Sequence, residues 1–234
     1  MLGYGGTALN VLDYGAKGDG STDDSETLGF EKCDGLKLNK FTSQNSSGVH
    51  IDIKKCVGAT VSNLNILAPD ESPNTDGLII SSTHVNIYDT IIRTGDDCIT
   101  IKGGAAFLNV TRVACGPGNG ISIGSLGKFK SHETVEELNI WNCSFNGSSN
   151  GARIKTYPAN AVEVSNVIFS GLYGTGAKDV VISLDCSKVG CRNLTLDNIN
   201  LKTTAPGKTA IAVCNNVQGS ISRSVTPPVK CVST

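Results

Sequence analysis

The stretch VSNLNI, residues 61–66, is one copy of a unit that recurs along the chain. Each copy begins with an apolar residue, followed by one residue of any kind. The third residue is usually Asn or Asp, and further apolar positions follow it. The copies begin at intervals of 23 to 32 residues, at Leu38, Val61, Ile87, Val110, Ile140, Val164 and Leu196. A period in this range with short β-segments and no helical periodicity predicts a solenoid in which each repeat forms one coil.

A second short apolar segment lies between successive copies. These segments read VHIDI, GLIIS, CITIK, GISIG, ARIKT, VVISL and AIAVC. Stacked coils repeat at about 4.8 Å, so that equivalent residues form columns. We therefore predict an all-β chain, a single-stranded right-handed parallel β-helix, with residues 1–234 forming one domain. A β-sandwich is the alternative, because its strands also follow one another at short intervals.

Composition limits the partners of the chain. Its net charge is −1, which favours neither a nucleic-acid surface nor a polybasic membrane patch. No apolar stretch approaches the roughly 18 residues that span a bilayer, so we expect no membrane segment. Nine cysteines and five Asn-x-Ser/Thr sequons favour an oxidising, glycosylating compartment, and hence a secreted, extracellular protein. The sequons begin at Asn45, Asn109, Asn142, Asn146 and Asn193.

The cysteines indicate disulfides rather than a metal site. Local disulfide candidates are Cys98 with Cys115, Cys186 with Cys191, and Cys214 with Cys231. Cys33, Cys56 and Cys143 lie in or beside related parts of the repeat and are expected to be buried thiols. Zinc is not expected, because no CxxC pair occurs and the three histidines are scattered. We predict neither a metal nor a cofactor.

Polar residues recur at two places in the repeat. In the first, Asn63, Asp89, Asn142, Asn166 and Asn198 are expected to be turn or ladder residues. In the second, four residues share one offset before the second segment, and these are Asp76, Asp97, Asn119 and Asn150. Since Asp96 adjoins Asp97, stacking would bring three carboxylates into one patch.

Such a patch has the chemistry that glycoside hydrolysis requires. Close carboxylates repel one another, so that one stays protonated as an acid while another stays ionised as a base. Arg153 and Lys155 lie two residues apart on a strand and therefore share a face. An arginine can bind a carboxylate with two parallel hydrogen bonds, and a lysine adds a point charge. Together these residues indicate an acidic polysaccharide as the partner.

Each motif also has a simpler interpretation when taken alone. TGDDC is typical of a turn whose aspartates cap main-chain amides or hold calcium, and RIK is typical of a solvated strand face. GPGNG is a poor dinucleotide motif, because no helical pattern follows it. The functional interpretation depends on several of these motifs meeting in one column.

With these residues in hand, the chain resembles the polygalacturonases, the pectin-degrading glycoside hydrolases of family 28, and especially their plant and pollen members. The ordered motifs are NVLDYGAKGDGSTDDS, SPNTDG, TGDDCITI, CGPGNGISIGSLG and ARIK. The resemblance implies a pectin-lyase-like right-handed parallel β-helix. It also implies hydrolysis of α-1,4 links between galacturonic acid units, with inversion.

The resemblance also implies roles for individual residues. Asp96 would be the general acid, while Asp76 and Asp97 would position and activate water. Arg153 and Lys155 would bind the galacturonate carboxylate. Asn119 occupies the position where the family has a histidine, so this substrate-binding residue can form hydrogen bonds but cannot ionise.

Two departures from the family pattern leave alternatives open. The chain is shortened after TDDSETL, and after RIKTYP it lacks the segment in which the family places a substrate-contacting tyrosine. The main alternative is a non-catalytic pectin-binding or structural β-helix. A calcium-dependent pectate lyase is a third hypothesis, which the NTD, DD and RIK set disfavours. We expect the protein to be a monomer.

Overall fold

The structure, a computed structural model, describes residues 27–128, 132–157 and 162–233. The motif NVLDYGAKGDGSTDDS, residues 10–25, lies outside these ranges. Regular structure in the described ranges consists of short strands, with one long strand, β7, that turns through most of a coil. The strands are β1 (Leu28–Glu31), β2 (Lys37–Asn39), β3 (Thr42–Gln44), β4 (Ile51–Val57), β5 (Thr60–Ser62), β6 (Asn65–Leu67), β7 (Leu78–Arg93), β8 (Ile99–Ile101), β9 (Ala105–Cys115), β10 (Ile121–Leu126), β11 (Glu133–Trp141), β12 (Ser144–Ser148), β13 (Ala152–Thr156), β14 (Val162–Ser170), β15 (Tyr173–Gly176), β16 (Val180–Asp185), β17 (Cys191–Asp197), β18 (Ile199–Thr203), β19 (Ile211–Asn215), β20 (Val217–Ile221), β21 (Val225–Thr226) and β22 (Val232–Ser233).

All strand pairs are parallel, and each strand pairs with its equivalent in the next coil. A first sheet runs through β1, β4, the start of β7, β8, β10, β13, β16 and β19. A second sheet runs through β2, β5, the middle of β7, β9, β11, β14, β17 and β20. A third joins β3, β6, the ends of β7 and β9, β12, β15, β18 and β21. The predicted parallel β-helix is confirmed, and the β-sandwich alternative is wrong.

The register confirms the repeat at six of its seven predicted starts. Val61 pairs with Ile87, and the same column continues through the next two predicted starts. Val164 is the exception, because Ile140 pairs with Phe169. Val164 instead pairs with Val135, one turn earlier in its coil. The sequence VSNVIF was misplaced because the coil has two turns of similar composition.

The recurrent polar residues are confirmed as turn and ladder residues. Asn63, Asp89, Asn142, Asn166 and Asn198 all have positive φ, between 50° and 55°. Asn and Asp tolerate this left-handed conformation better than most residues do. The side chains of Asn63, Asp89 and Asn166 also form hydrogen bonds between coils, for example from Asn63 Nδ2 to Asn39 Oδ1 at 3.0 Å. These contacts hold the bends of successive coils in line.

The core lies inside the coils and consists of stacked aliphatic side chains. In the first sheet, Ile51, Leu78, Ile99, Ile121 and Ala152 follow one another in register and are fully buried. Because side chains alternate along a strand, the residues between these positions point outward. Outward-facing polar residues in this sheet therefore also form columns.

Three disulfides have the predicted pairing. They are Cys98–Cys115, Cys186–Cys191 and Cys214–Cys231. Cys33, Cys56 and Cys143 are free thiols, of which the last two are buried. Disulfides persist in oxidising compartments, so this set is consistent with an extracellular protein. The described ranges contain no helix that is long and apolar enough to cross a bilayer.

Candidate active site

The strand register aligns the polar column predicted before the second segments. Asp76, Asp97, Asn119 and Asn150 each lie two residues before the first paired residue of β7, β8, β10 and β13, respectively. These strands stack in consecutive coils of the first sheet. Residues separated by as many as 74 positions in the chain therefore occupy one column at the entrance to the strands. The predicted offset is correct.

Two glycines around Asn119 allow the coils to approach closely at this column. A Cβ on Gly118 would lie 2.1 Å from the carbonyl oxygen of Asp96, and one on Gly120 would lie 2.0 Å from that of Asn150. Both glycines also have positive φ, 80° and 77°. Any side chain at either position would collide with main chain, which explains the composition of GPGNG.

Asp97 is the most buried carboxylate of the group, with 6% of its surface exposed. Its Oδ1 accepts a hydrogen bond from Ser122 Oγ at 2.7 Å, and its Oδ2 accepts one from Thr100 Oγ1 at 3.3 Å. Arg153 Nη2 lies 3.2 Å from both oxygens. Burial raises the pKa of Asp97 above its usual range, and the Arg153 charge and the Ser122 hydroxyl oppose that rise.

Asp76 is half-buried and is linked to Asp97 through one hydroxyl. Thr100 Oγ1 donates to Asp76 Oδ2, and the same hydroxyl is within reach of Asp97. Burial is the main cause that raises the pKa of Asp76, with the hydrogen bond from Thr100 acting in the opposite direction. A raised pKa makes the ionised form of a carboxylate a stronger base, so either group, once ionised, is suited to accept a proton from water.

Asp96 is oriented by its two neighbours in the column. Its Oδ1 accepts hydrogen bonds from the main-chain N–H of Asp97 and from Asn119 Nδ2, both at 2.8 Å. The main-chain N–H of Asn119 also donates to the Asp96 carbonyl at 3.0 Å. Asp96 is half-buried, and Oδ2 is the oxygen that these contacts do not use. Asn119 thus contacts the predicted acid directly.

Arg153 and Lys155 share the outer face of β13, as predicted, but they differ in environment. The Arg153 guanidinium lies over Asp97, and its Nε is buried without a hydrogen-bond partner. Lys155 is exposed. The structure therefore brings Arg153 into contact with the carboxylates, while Lys155 lies at the edge of this cluster and is open to solvent.

Two residues of the site were missed at the sequence level. Thr100 and Ser122 are both buried and connect Asp97 to its surroundings. They lie in register with Arg153 on the outer face of consecutive strands. Alignment of the third residue of CITIK and of GISIG with the second residue of ARIK would have found them, because that position is polar in all three.

The site brings three carboxyl groups into a network of hydroxyl, amide and guanidinium donors, an arrangement that can supply acid and base chemistry. In the part of the chain that the structure describes, no group of three or more His, Cys, Asp or Glu side chains is placed to hold a metal ion. The carboxylates are instead held by hydroxyl, amide and guanidinium groups. This arrangement leaves Asp96 Oδ2 and Lys155 on the outer side, where a substrate can approach.

Structural comparison shows the fold of the chain. An endo-xylogalacturonan hydrolase from Aspergillus tubingensis has a TM-score of 0.66 at 21% identity, covering 85% of this chain and 68% of that one. The structure of endopolygalacturonase I from Stereum purpureum, complexed with two galacturonates, has a TM-score of 0.60 at 18% identity. The match covers 86% of this chain and 71% of that chain. The chain has the right-handed parallel β-helix that the repeat predicted.

Sequence comparison shows the family. Polygalacturonase-2 of Solanum lycopersicum is 36% identical over 241 residues, which are 86% of this chain and 52% of that protein. The chain spans about half the length of the curated relatives it matches. The model of glycosyl hydrolases family 28 matches residues 13–172 and 157–226. By this match and by the tomato relative, the chain belongs to family 28 of the glycosyl hydrolases.

Proposed function

We propose that this protein hydrolyses α-1,4-galacturonosyl links of polygalacturonate, the acidic polysaccharide of pectin, with inversion at the anomeric carbon. One observation carries the proposal, namely that Asp76, Asp96 and Asp97 converge from consecutive coils in a chain of family 28. The relatives named above are polygalacturonases or act on related galacturonans by their names, which supports the same substrate class. The proposal treats residues 1–234 as one β-helix domain.

In the proposed reaction Asp96 is the general acid. It protonates the glycosidic oxygen as the bond from that oxygen to the anomeric carbon breaks. A water molecule on the opposite face of the sugar forms the new bond to that carbon and gives its proton to Asp76 or Asp97. Inverting enzymes keep the acid and base roughly 6.5 to 9.5 Å apart to hold this water, and side chains on neighbouring coils can meet that spacing.

The remaining site residues bind and orient in this proposal. Asn119 holds Asp96 through Oδ1, so that Oδ2 carries the proton toward the substrate. Lys155 binds a galacturonate carboxylate at the exposed edge of the site. Arg153 favours the ionised form of Asp97 by its charge and presents guanidinium N–H groups other than the buried Nε to the substrate. The hydrolase needs no metal or cofactor and acts as a secreted monomer at the cell wall.

The test is the release of reducing ends from polygalacturonate by the purified protein. Asp96→Asn should abolish release and preserve binding of oligogalacturonate, because it removes the acid and keeps the shape. NMR of the first product should show inverted anomeric configuration. A folded parent protein that binds oligogalacturonate without releasing reducing ends would overturn the hydrolase and favour the non-catalytic pectin-binding alternative. Unsaturated products that absorb in the ultraviolet would instead indicate a lyase.

A further inference from the structure

A groove lies on the outer face of the first sheet, along β4 and the start of β7 and past the end of β8. Its volume is about 400 Å³. Its lining includes Asp52, Lys54, Ile79, Ser81, Lys102 and Glu133. Ile79 pairs with Thr100 of the candidate active site, so the groove adjoins that site, and its lining holds charges of both signs.

The lysines of this face form a row. Lys54 pairs with Ser81, and Gly124 pairs with Lys155. Lys102 lies between these pairs, because the residues directly before it are in register with both neighbouring strands. Three lysines thus alternate with two small residues along the stacking direction. Lysines two coils apart in such a row are separated by about 10 Å at their Cα atoms.

This lysine row runs parallel to the aspartate column. Asp97 and Lys102 lie before and after β8, while Asn150 lies before β13 and Lys155 lies near the end of β13. Asp76 occupies the coil between those of Lys54 and Lys102. A polymer lying along the stacking direction would therefore have carboxylates on one side and ammonium groups on the other.

Lys102 has the geometry of a binding group. It is half-buried, and its Nζ donates to the carbonyl oxygen of Gly124 at 3.2 Å. An ammonium has three N–H donors, so this contact orients the group and leaves two donors for a ligand. Among the described residues, no carboxylate oxygen lies within 4.0 Å of Lys102 Nζ. Its charge also opposes the rise in the pKa of Asp76 that burial causes, so the two groups interact electrostatically.

The acidic residues of the groove are held by other groups. Asp52 pairs with Lys54 at 2.6 Å. Glu133 Oε2 accepts a hydrogen bond from the main-chain N–H of Gly127 at 3.1 Å, and its side chain covers Gly103. Arg153 is similarly engaged with Asp97. Lys102 and Lys155 are therefore the cations best placed to meet an anionic ligand across this face.

We infer that Lys102 is a carboxylate-binding subsite for a second galacturonate unit, separate from the unit bound by Lys155. The inference rests on the proposed function, because it needs an anionic polymer in the cleft. The subsite makes affinity depend on substrate length and on free carboxylates.

Binding of oligogalacturonates of defined length tests this subsite. The parent for calorimetry is Asp96→Asn, which prevents turnover. Lys102→Met should weaken hexagalacturonate binding about tenfold and change digalacturonate binding less than about twofold. Lys102→Arg should restore most of the affinity. Lys202→Met, which removes an exposed lysine on the third sheet, is the matched control and should change neither constant.

The outcomes separate this inference from the function on which it rests. In the active protein, Lys102→Met should raise KM for the hexamer. Lys102→Met and its parent should bind methyl-esterified hexamer with equal affinity, because the ester removes the carboxylate charge. If the parent binds and cleaves hexamer and neither Lys102→Met nor Lys102→Gln changes hexamer affinity, the Lys102 subsite is overturned and the hydrolase stands. If the parent neither binds nor cleaves any oligogalacturonate, the proposed function fails, and the subsite fails with it.

Discussion

Asn119 donates a 2.8 Å hydrogen bond from Nδ2 to Oδ1 of Asp96 in the preceding coil. The main-chain N–H of Asp97 donates to the same oxygen. A neutral amide therefore performs the orienting role at a position where a histidine could also carry a proton. The consequence is a site in which the orientation of the acid does not depend on the ionisation of its neighbour.

This relationship predicts the effect of restoring an imidazole. Asn119→His introduces a group whose unperturbed pKa is about 6.5, so its charge changes within the working range. We expect kcat/KM for polygalacturonate to acquire a pH-dependent step near that value. Profiles of the parent and the variant between pH 4 and pH 8 should therefore differ in shape. Asn119→Ala is the control, since it removes the hydrogen bond and adds no ionisable group. Identical profiles for parent and Asn119→His would contradict the prediction.

The pair of Arg153 and Asp97 should be sensitive to removal of the arginine. Arg153→Met leaves a buried carboxylate without its counter-charge, which typically costs about 3 kcal/mol or more. The pKa of Asp97 is already raised by burial and would rise further without Arg153. Relative to the parent, the variant should therefore lose most stability at neutral pH and should regain it as acid protonates Asp97. Urea unfolding at pH 7 and at pH 4 measures this difference.

A second substitution provides the control for that prediction. In the double variant Arg153→Met with Asp97→Asn, no charge is left to bury, so much of the lost stability at pH 7 should return. An equal loss of stability in the single and double variants would show that Arg153 acts through packing and not through Asp97.

His50 predicts acid sensitivity of the opposite sign. Its side chain is 1% exposed, Nδ1 is 2.8 Å from Ser43 Oγ, and burial lowers its pKa to about 4. The folded protein keeps His50 neutral, whereas the unfolded chain binds a proton below about pH 6.5. Stability is therefore present above pH 6.5 and is lost as pH falls toward 4, by up to about 3 kcal/mol.

The His50 effect can be isolated by subtraction. His50→Gln keeps a polar group for Ser43 and has no titration, so its unfolding free energy should fall less between pH 7 and pH 4. The unfolding free energy of the parent minus that of the variant should be highest at neutral pH and should fall towards pH 4. A constant difference across this range would show that His50 does not titrate with folding.

The disulfides should contribute to stability according to the loops that they close. Cys98–Cys115 closes a sequence separation of 17, and Cys186–Cys191 closes one of 5. Chain-entropy arguments give about 3 kcal/mol for the longer loop and about 2 kcal/mol for the shorter. Replacing each pair by serines and measuring denaturant unfolding compares them directly. The reverse order of stabilities would show that local packing, and not loop entropy, determines the effect.

Much of the site could be predicted because it depends on local pattern. The offset of Asp76, Asp97 and Asn119 from their strands is a property of the sequence, and the stacking of coils translates it into a column. The three disulfides could be predicted for a similar reason, because the cysteines of each pair are close in the sequence. The predicted repeat start at Val164 was wrong because two turns of each coil have similar residues. Loops of variable length hide which of the two turns the sequence VSNVIF forms.

The sequence by itself determined the coil, its core-facing positions and the carboxylate column, because alternation within strands and repetition between coils are written along the chain. Only the tertiary structure decided which groups contact one another across coils. It placed Arg153 on Asp97, Thr100 between Asp76 and Asp97, and Lys102 beside Gly124. Apart from that of Thr100 with Asp97, these contacts join residues 22 to 56 positions apart, and side-chain orientation across stacked strands depends on packing that periodicity does not encode.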